Sequence, residues 1–126
     1  MSQFYGEFTM FEDTMYHRTS LLIGNDGIEK LKKAKIWVFG VGGVGGFAAE
    51  ALVRAGVGNI TVVDNDTVNV TNLNRQIIAL HSTIGMPKVE AFERRAKDIN
   101  PDTNITCYNK CYLPSNSHEF DFSNAD

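Results

Sequence analysis

The strongest constraint on this chain is the run KIWVFGVGGVGGFAAEALVRAGVG, residues 35–58. Its first six residues, Lys35 to Gly40, are short, apolar and β-branched or aromatic, and they end on glycine; they read as a buried strand. Glycines follow, and then an alanine- and leucine-rich stretch of good helix propensity, stopped at Gly56. Gly40, Gly42 and Gly45 match G-x-G-x-x-G between that strand and that helix. The physical meaning is anion binding. A side chain at these positions would hold a phosphate away from the backbone, and a helix N-terminus offers free N–H groups and a partial positive charge. NITVVD, Asn59 to Asp64, reads as a second buried strand. Asp64 closes it 19 residues after Gly45, where an acid takes ribose hydroxyls. A tight turn with close helix–strand packing is the plain structural alternative for the glycines.

The rest of the chain extends this unit. Residues 1–12 form an aromatic-rich arm with Phe4, Tyr5, Phe8 and Phe11. Residues 13–23 are predicted helical with Met15, Thr19 and Leu22 on one side, Gly24 to Gly27 as a break, and Ile28 to Lys33 as a short helix. DNDTVNVTNLNRQ, from Asp64, is polar and irregular. Pro87 suits a helix start. Val89, Phe92, Ala96 and Ile99 then recur at helical spacing, with Glu90–Arg94 and Glu93–Lys97 as i,i+4 pairs. Asn100-Pro101 ends that helix, and Asn104 to Lys110 reads as a weaker third strand. The order β-α-β-α-β with short links predicts an α/β, Rossmann-like parallel sheet with flanking helices and right-handed crossovers. The organisation reads as an arm with helices over 1–34, a nucleotide-binding unit over 35–110, and a patternless acidic tail over 111–126, disordered or cut from a following segment.

Composition narrows the partners. The chain has 126 residues, 43% hydrophobic and 21% charged, with a net charge of −3. No run approaches a membrane span, and MSQFYGEFTMFED lacks a signal-peptide pattern, so a cytoplasmic protein is expected. Residues 1–97 carry 11 basic and 10 acidic groups, residues 98–126 carry 1 and 5. No basic stripe grips nucleic acid, so any phosphate contact rests on a few placed cations. Cys107 and Cys111 are expected as free thiols, and no four-ligand zinc pattern is present.

The residues after the second strand point to a particular nucleotide. Arg75 and Lys88 can neutralise a triphosphate and the charge that builds on a departing pyrophosphate. Asn72 and Gln76 can bond ribose or phosphate oxygens, and Asp66 is a weak candidate for holding Mg²⁺ through water. Each has a plainer alternative: Arg75 and Lys88 as solvated charges, Asn72 as a turn cap. A nicotinamide-dependent oxidoreductase shares the glycine loop and Asp64 but leaves the D-x-D plus N-x-x-R-Q cluster unexplained.

GVGGVGG, DNDTVNVTNLNRQ and the G-x-P-K of Gly85 to Lys88 resemble the adenylating domain of the ThiF/MoeB/HesA superfamily, the bacterial relatives of ubiquitin-activating enzymes. RTSLLIGNDGIEKL, EALVRAG, VTNLNRQIIAL and INP are most similar to its tRNA threonylcarbamoyladenosine dehydratase branch. The resemblance covers roughly residues 16–106. It implies ATP with Mg²⁺, activation of a carboxylate as an acyl adenylate, and a homodimer. Position by position, it implies that Gly43 lies next to the adenylate, that Asp64 binds ribose, and that Asp66, Asn72, Arg75 and Lys88 surround the phosphates. It also implies that Arg18 reaches the partner subunit's nucleotide, with a helix-surface charge as the alternative. Arg75, Lys88 and Arg18 are the candidates for catalysis. The implied substrate is the threonyl carboxylate of a modified adenosine in tRNA, or, in the sulfur-carrier branch, the C-terminal glycine of a small protein. Gly46 stands where the family pattern suggests serine.

Family members are about twice this length or more, so the resemblance implies the N-terminal half, stopping before the fourth strand. Asp121 and Asp126 are poor stand-ins for a later metal-holding aspartate, and Cys107 and Cys111 precede the region of a catalytic cysteine. His81 and His118 read as surface residues, while His17 is a candidate to flank a nucleotide through Arg18. A three-stranded half-sheet leaves an apolar edge, to be covered by self-association, by the tail or by rearrangement. For the chain alone, a nucleotide-binding or dimerisation module without turnover competes with an enzyme.

Overall fold

A computed structural model describes residues 9–126. The expected aromatic arm lies mostly outside them, at Phe4, Tyr5 and Phe8. Helix α1 (His17–Lys33) leads to strand β1 (Lys35–Phe39), helix α2 (Gly43–Ala55), strand β2 (Asn59–Val63), helix α3 (Lys88–Ile99) and strand β3 (Asn104–Tyr108). The strands form one parallel sheet in the order β1-β2-β3. This is the Rossmann-like unit that the strand–glycine–helix pattern requires, since parallel neighbours need a crossover and helices supply it.

Alternation along the strands gives the sheet two different faces. Ile36, Val38, Ile60, Val62, Ile105 and Cys107 share one face in register and meet the buried side of α2 and α3, including Ala49, Val53, Val89, Phe92 and Ala96. Helix α2 ends at Gly56, whose left-handed φ of 98° lets its N–H reach Leu52 O and Val53 O. A side chain there would also lie 2.6 Å from the Tyr16 ring. Tyr16 OH in turn accepts a 2.8 Å hydrogen bond from the buried Asn100 Nδ2, which ties the start of α1 to the link between α3 and β3.

The other face carries Trp37, Phe39 and Tyr108. The chain after β3 folds back over it. A 3-10 turn at Pro114–Glu119 delivers Phe120, which is buried, and Phe122, whose ring centroid is 4.7 Å from that of Trp37 in an edge-to-face pair. Phe120 lies 5.2 Å from both Tyr108 and Tyr112. Such pairs stabilise beyond their buried area. The tail looks patternless because its aromatic residues occupy an irregular strap and follow no helical or strand period. The tail also meets the sheet edge: Asp126 N–H donates to Lys35 O and Lys35 N–H to Asp126 Oδ2, both at 2.8 Å, on the side of β1 away from β2.

Three local expectations need correction. Residues 17–33 form one helical run interrupted at Gly24 alone (φ 74°, ψ 173°), and Asn25 to Gly27 are helical. Its inward residues are Ser20 and Ile28, whereas Leu22 is 87% exposed and Met15 46%. Leu21, Leu22 and Ile23 are consecutive and spread around the helix, so spacing cannot select their inner face. On α3, Glu93 pairs with Lys97 at 3.5 Å, but Glu90 and Arg94 form no ion pair. The strands also stop at Phe39, Val63 and Tyr108, just short of the expected Gly40, Asp64 and Lys110.

Candidate functional site

The site is built where the parallel strands finish. After β1 the chain turns at Gly40 (φ 88°), whose N–H donates to Val63 O at 2.8 Å. Val41 is buried, and α2 begins at Gly43 with Gly42 as its cap and no side-chain cap bond. The two kinds of glycine then separate. A methyl on Gly45 would lie 1.8 Å from Gly40 O, so this residue permits close packing of loop on helix. A methyl on Gly43 would meet nothing within 4 Å, so its α-carbon faces open space at the helix N-terminus. Gly46 is buried, and a methyl there would sit 2.9 Å from Val41 O, so the family's serine would need a shift in this backbone.

Asp64 joins the loop to the second strand. Its Oδ2 accepts the Val41 N–H and its Oδ1 accepts the Asp66 N–H, each at 2.9 Å. Asp66 continues the chain of contacts: its O accepts the Lys88 N–H at 2.9 Å, and its carboxylate lies 3.7 Å from Lys88 Nζ. Lys88 is 7% exposed, an unusual position for an ammonium, and Asp66 supplies its ion pair.

The N-x-x-R-Q run wraps the other side of the loop. Asn72 is buried, and its Oδ1 accepts the Asn69 N–H at 2.8 Å, so it does cap a turn. That turn directs Gln76 onto Gly42, where a methyl would be 3.3 Å from Gln76 Nε2. Gln76 is 8% exposed, and its buried Oε1 has no hydrogen-bond partner. A buried orphan amide oxygen beside a glycine loop fits a site meant to receive a polar ligand. Arg75 lies beside Gly43 with Val44, Phe47 and Ala48, and its Nη1 donates to Thr71 O and Asn74 Oδ1 at 3.0 Å.

The fold thus brings Gly40, Gly42, Gly43, Gly45, Asp64, Asp66, Asn72, Arg75, Gln76 and Lys88 to one end of the sheet. Arg18 is not among them. It is exposed on α1, two residues from Tyr16, which is anchored at Gly56 and Asn100, the end where strands begin. His81 and His118 are exposed, as expected.

Residues that spacing does not flag complete the site. A cleft of about 410 Å³ is lined by Phe39, Gly40, Val63, Asp64 and Asn65 together with Lys110, Cys111 and Tyr112 of the strap. Its size suits a small ligand. The rule that ligands bind beyond the carboxyl ends of parallel strands, applied to β3, is the one signal that would have found residues 110–112. Glu50 is the other omission. It is buried on α2 and forks between Arg54 Nε at 3.1 Å and Arg95 Nε of α3. Burial pushes its carboxyl up, but the two guanidiniums outweigh this and hold it below the usual carboxylate range.

The cysteines are free thiols. Burial, and then the neighbouring Glu93 carboxylate, push Cys107 up to about 12, which keeps it protonated and unreactive. Among the described residues, no group of three or more His, Cys, Asp or Glu side chains is placed to hold a metal, and no helix is long and apolar enough to cross a membrane.

A parallel sheet, a glycine turn opening onto a helix N-terminus and an acid closing β2 define the class: a Rossmann-like nucleotide-binding α/β domain. The chain belongs to the ThiF family, whose family model matches residues 16–126. It is 48% identical over 105 residues to the tRNA threonylcarbamoyladenosine dehydratase of Bacillus subtilis, covering 83% of this chain and 41% of that protein. It is 42% identical over 100 residues to the molybdopterin-synthase adenylyltransferase of Haemophilus influenzae, covering 78% and 41%. It also resembles the crystal structure of the Escherichia coli tRNA N6-threonylcarbamoyladenosine dehydratase in complex with ATP, with a TM-score of 0.80 and 41% identity over 83% of this chain and 43% of that one. The chain therefore spans about two-fifths of the length of the relatives it matches.

Proposed function

We infer that this chain is the ATP-binding part of a cytoplasmic, carboxylate-activating enzyme, and that its substrate is threonylcarbamoyladenosine in tRNA, dehydrated to its cyclic form. The observation that carries the reading is the Asp64–Val41 bond, which holds the ribose-binding acid of this reading against a glycine loop flanked by Arg75. The 48% identity to a dehydratase supports the substrate class.

In the reaction, a substrate carboxylate oxygen attacks the α-phosphorus of ATP. The bond from that phosphorus to the β-phosphate oxygen breaks, and pyrophosphate leaves. The product is an acyl adenylate. Intramolecular attack on the activated carbonyl carbon closes a ring and expels AMP, so that ATP hydrolysis to AMP and pyrophosphate accounts for the water lost. Arg75 and Lys88 balance the charge that grows on the phosphates. Lys88 must exchange its Asp66 partner for phosphate oxygen. Asp64 takes the ribose, Gly42 and Gly43 let the phosphates approach, and Asn72 and Gln76 donate amide N–H bonds. In a homodimer, Arg18 serves the site of the partner subunit. Asp66 pairs with Lys88 at 3.7 Å, so a Mg²⁺ ion carried on the ATP phosphates would meet this chain through water on that carboxylate, where it would neutralise phosphate charge.

Side-by-side titration with ATP, adenosine and NAD tests the reading. ATP is expected to bind more tightly than NAD, and Arg75→Ala to weaken ATP far more than adenosine. Equal losses for both would remove the phosphate role of Arg75. Pyrophosphate release on adding threonylcarbamoyladenosine-containing tRNA, compared with a small carrier protein ending in glycine, decides between the two substrate classes. No release with either favours a binding module.

A further inference from the structure

One wall of the nucleotide cleft is irregular chain. Lys110, Cys111 and Tyr112 line the cleft opposite Gly40 and Asp64, yet they lie beyond the last strand, where no sheet ladder fixes their backbone. The strap that follows closes on itself at one side chain. Asn116 Oδ1 accepts the Leu113 N–H and Asn116 Nδ2 donates to Cys111 O, both at 2.7 Å. A single half-buried amide therefore holds both sides of Tyr112. Other contacts seat the strap: the Lys110–Glu119 ion pair at 3.2 Å, the buried Phe120 ring against Tyr112 and Tyr108, the Tyr112 ring against Phe39 and Phe122, and Phe122 against Trp37. The ion pair is half-exposed and contributes little. The rings anchor the Tyr112 side chain, whereas Asn116 bonds the backbone on either side of it. Asn116 supplies the side-chain hydrogen bonds that hold the backbone at Cys111 and Leu113.

We propose that Asn116 is a positioning residue for nucleotide binding, fixing through Cys111 and Leu113 the wall against which the nucleoside half of the ligand packs. The proposal rests on the ATP-binding reading. Asp64, the ribose acid of that reading, lines the same cleft, whereas the glycine loop, Arg75 and Lys88 serve the phosphates. Asn116 therefore acts on the nucleoside end and not on the phosphate end. An amide suits the role: it supplies a donor and an acceptor from two separate atoms of one planar group, whereas an ionised carboxylate has no donor for Cys111 O.

The test is Asn116→Ala, with Ser115→Ala in the same turn as control. Affinities for ATP, AMP, adenosine and inorganic tripolyphosphate are measured by calorimetry, together with the urea midpoint and acrylamide quenching of Trp37, the single tryptophan. The expected result is a loss of about fivefold to tenfold, equal for ATP, AMP and adenosine, as the loss of two hydrogen bonds on a partly exposed turn implies. Tripolyphosphate affinity stays unchanged, the urea midpoint falls modestly while the chain stays folded, Trp37 becomes more accessible, and Ser115→Ala behaves as wild type. Unchanged adenosine affinity, or a loss shared by tripolyphosphate, overturns the proposal. If the wild-type chain binds none of the adenine compounds, the ATP reading fails instead. Trp37 quenching then still reports whether Asn116 holds the strap.

Discussion

The carboxylate of Asp64 and the backbone amide of Val41, 23 residues apart, meet at 2.9 Å and lock the end of β2 onto the glycine loop after β1. The other Asp64 oxygen holds the Asp66 amide, so one side chain sets the loop and the approach to Lys88 together. Asp64→Ala is expected to cost about 2–3 kcal/mol in urea unfolding, because hydrogen bonds to a charged acceptor are strong and two backbone donors lose their partner. Adenosine affinity falls with it, measurable by calorimetry on the folded fraction.

The glycines separate folding from binding. Gly45→Ala places a methyl against Gly40 O and is expected to destabilise by at least about 3 kcal/mol, as backbone overpacking does. Gly43→Ala meets open space and is expected to leave thermal stability within about 1 kcal/mol of wild type, since alanine suits a helix better than glycine. The same Gly43→Ala change should weaken ATP at least tenfold if phosphates approach its α-carbon. Calorimetric scanning with ATP titration checks both halves.

Glu50 predicts an acid-sensitive joint between α2 and α3. Its folded carboxyl lies below the ordinary range, so the stability it supplies is fully present above the unfolded value of about 4.3 and is lost as pH falls through the folded value. Glu50→Gln is expected to cost about 2 kcal/mol at pH 7, when both guanidiniums keep only a neutral partner. The gap between wild type and variant should close as the pH drops below the wild-type folded value. Urea midpoints measured from pH 7 to pH 3 follow it.

The two cysteines differ in reactivity. With Cys107 pushed up to about 12, iodoacetamide at pH 8 is expected to label the exposed Cys111 and spare Cys107, giving a single mass increment in the native chain and two after denaturation. Because Cys111 lines the cleft proposed to take the nucleotide, ATP should slow its labelling, as read by intact mass against time.

The path from strand to glycine turn to helix is legible in the sequence because each step is local. Chain stiffness, glycine's missing side chain and alanine's helix propensity act within a few residues, so β1, α2, β2, α3 and β3 emerge within a residue or two of their observed bounds. The placing of the candidate site residues was legible for the same reason: Asp64 and Lys88 sit at element ends, and the structure brings both to the end of the sheet where the strands finish. Asn72 was readable in type but not in use, since the choice between turn cap and ligand contact depends on where Asn69 lies.

Tertiary structure alone decided the rest. No spacing rule reveals that Phe120 and Phe122 cover Trp37, that Glu50 on α2 finds Arg95 on α3, or that Lys110 to Tyr112 wall a cleft with Gly40. These contacts join residues far apart in the chain, on segments whose path is fixed by packing and not by local propensity. Leu21, Leu22 and Ile23 show the same limit from the other side: their apolar character is plain, yet the Gly24 kink and the docking of Tyr16 decide that Ser20 and Ile28 face inward. The sequence by itself therefore determined a nucleotide-binding parallel α/β unit, because its signals are periodic and local. The shape of the cleft beside Asp64 was decided in three dimensions, because its far wall is irregular chain held by side-chain contacts.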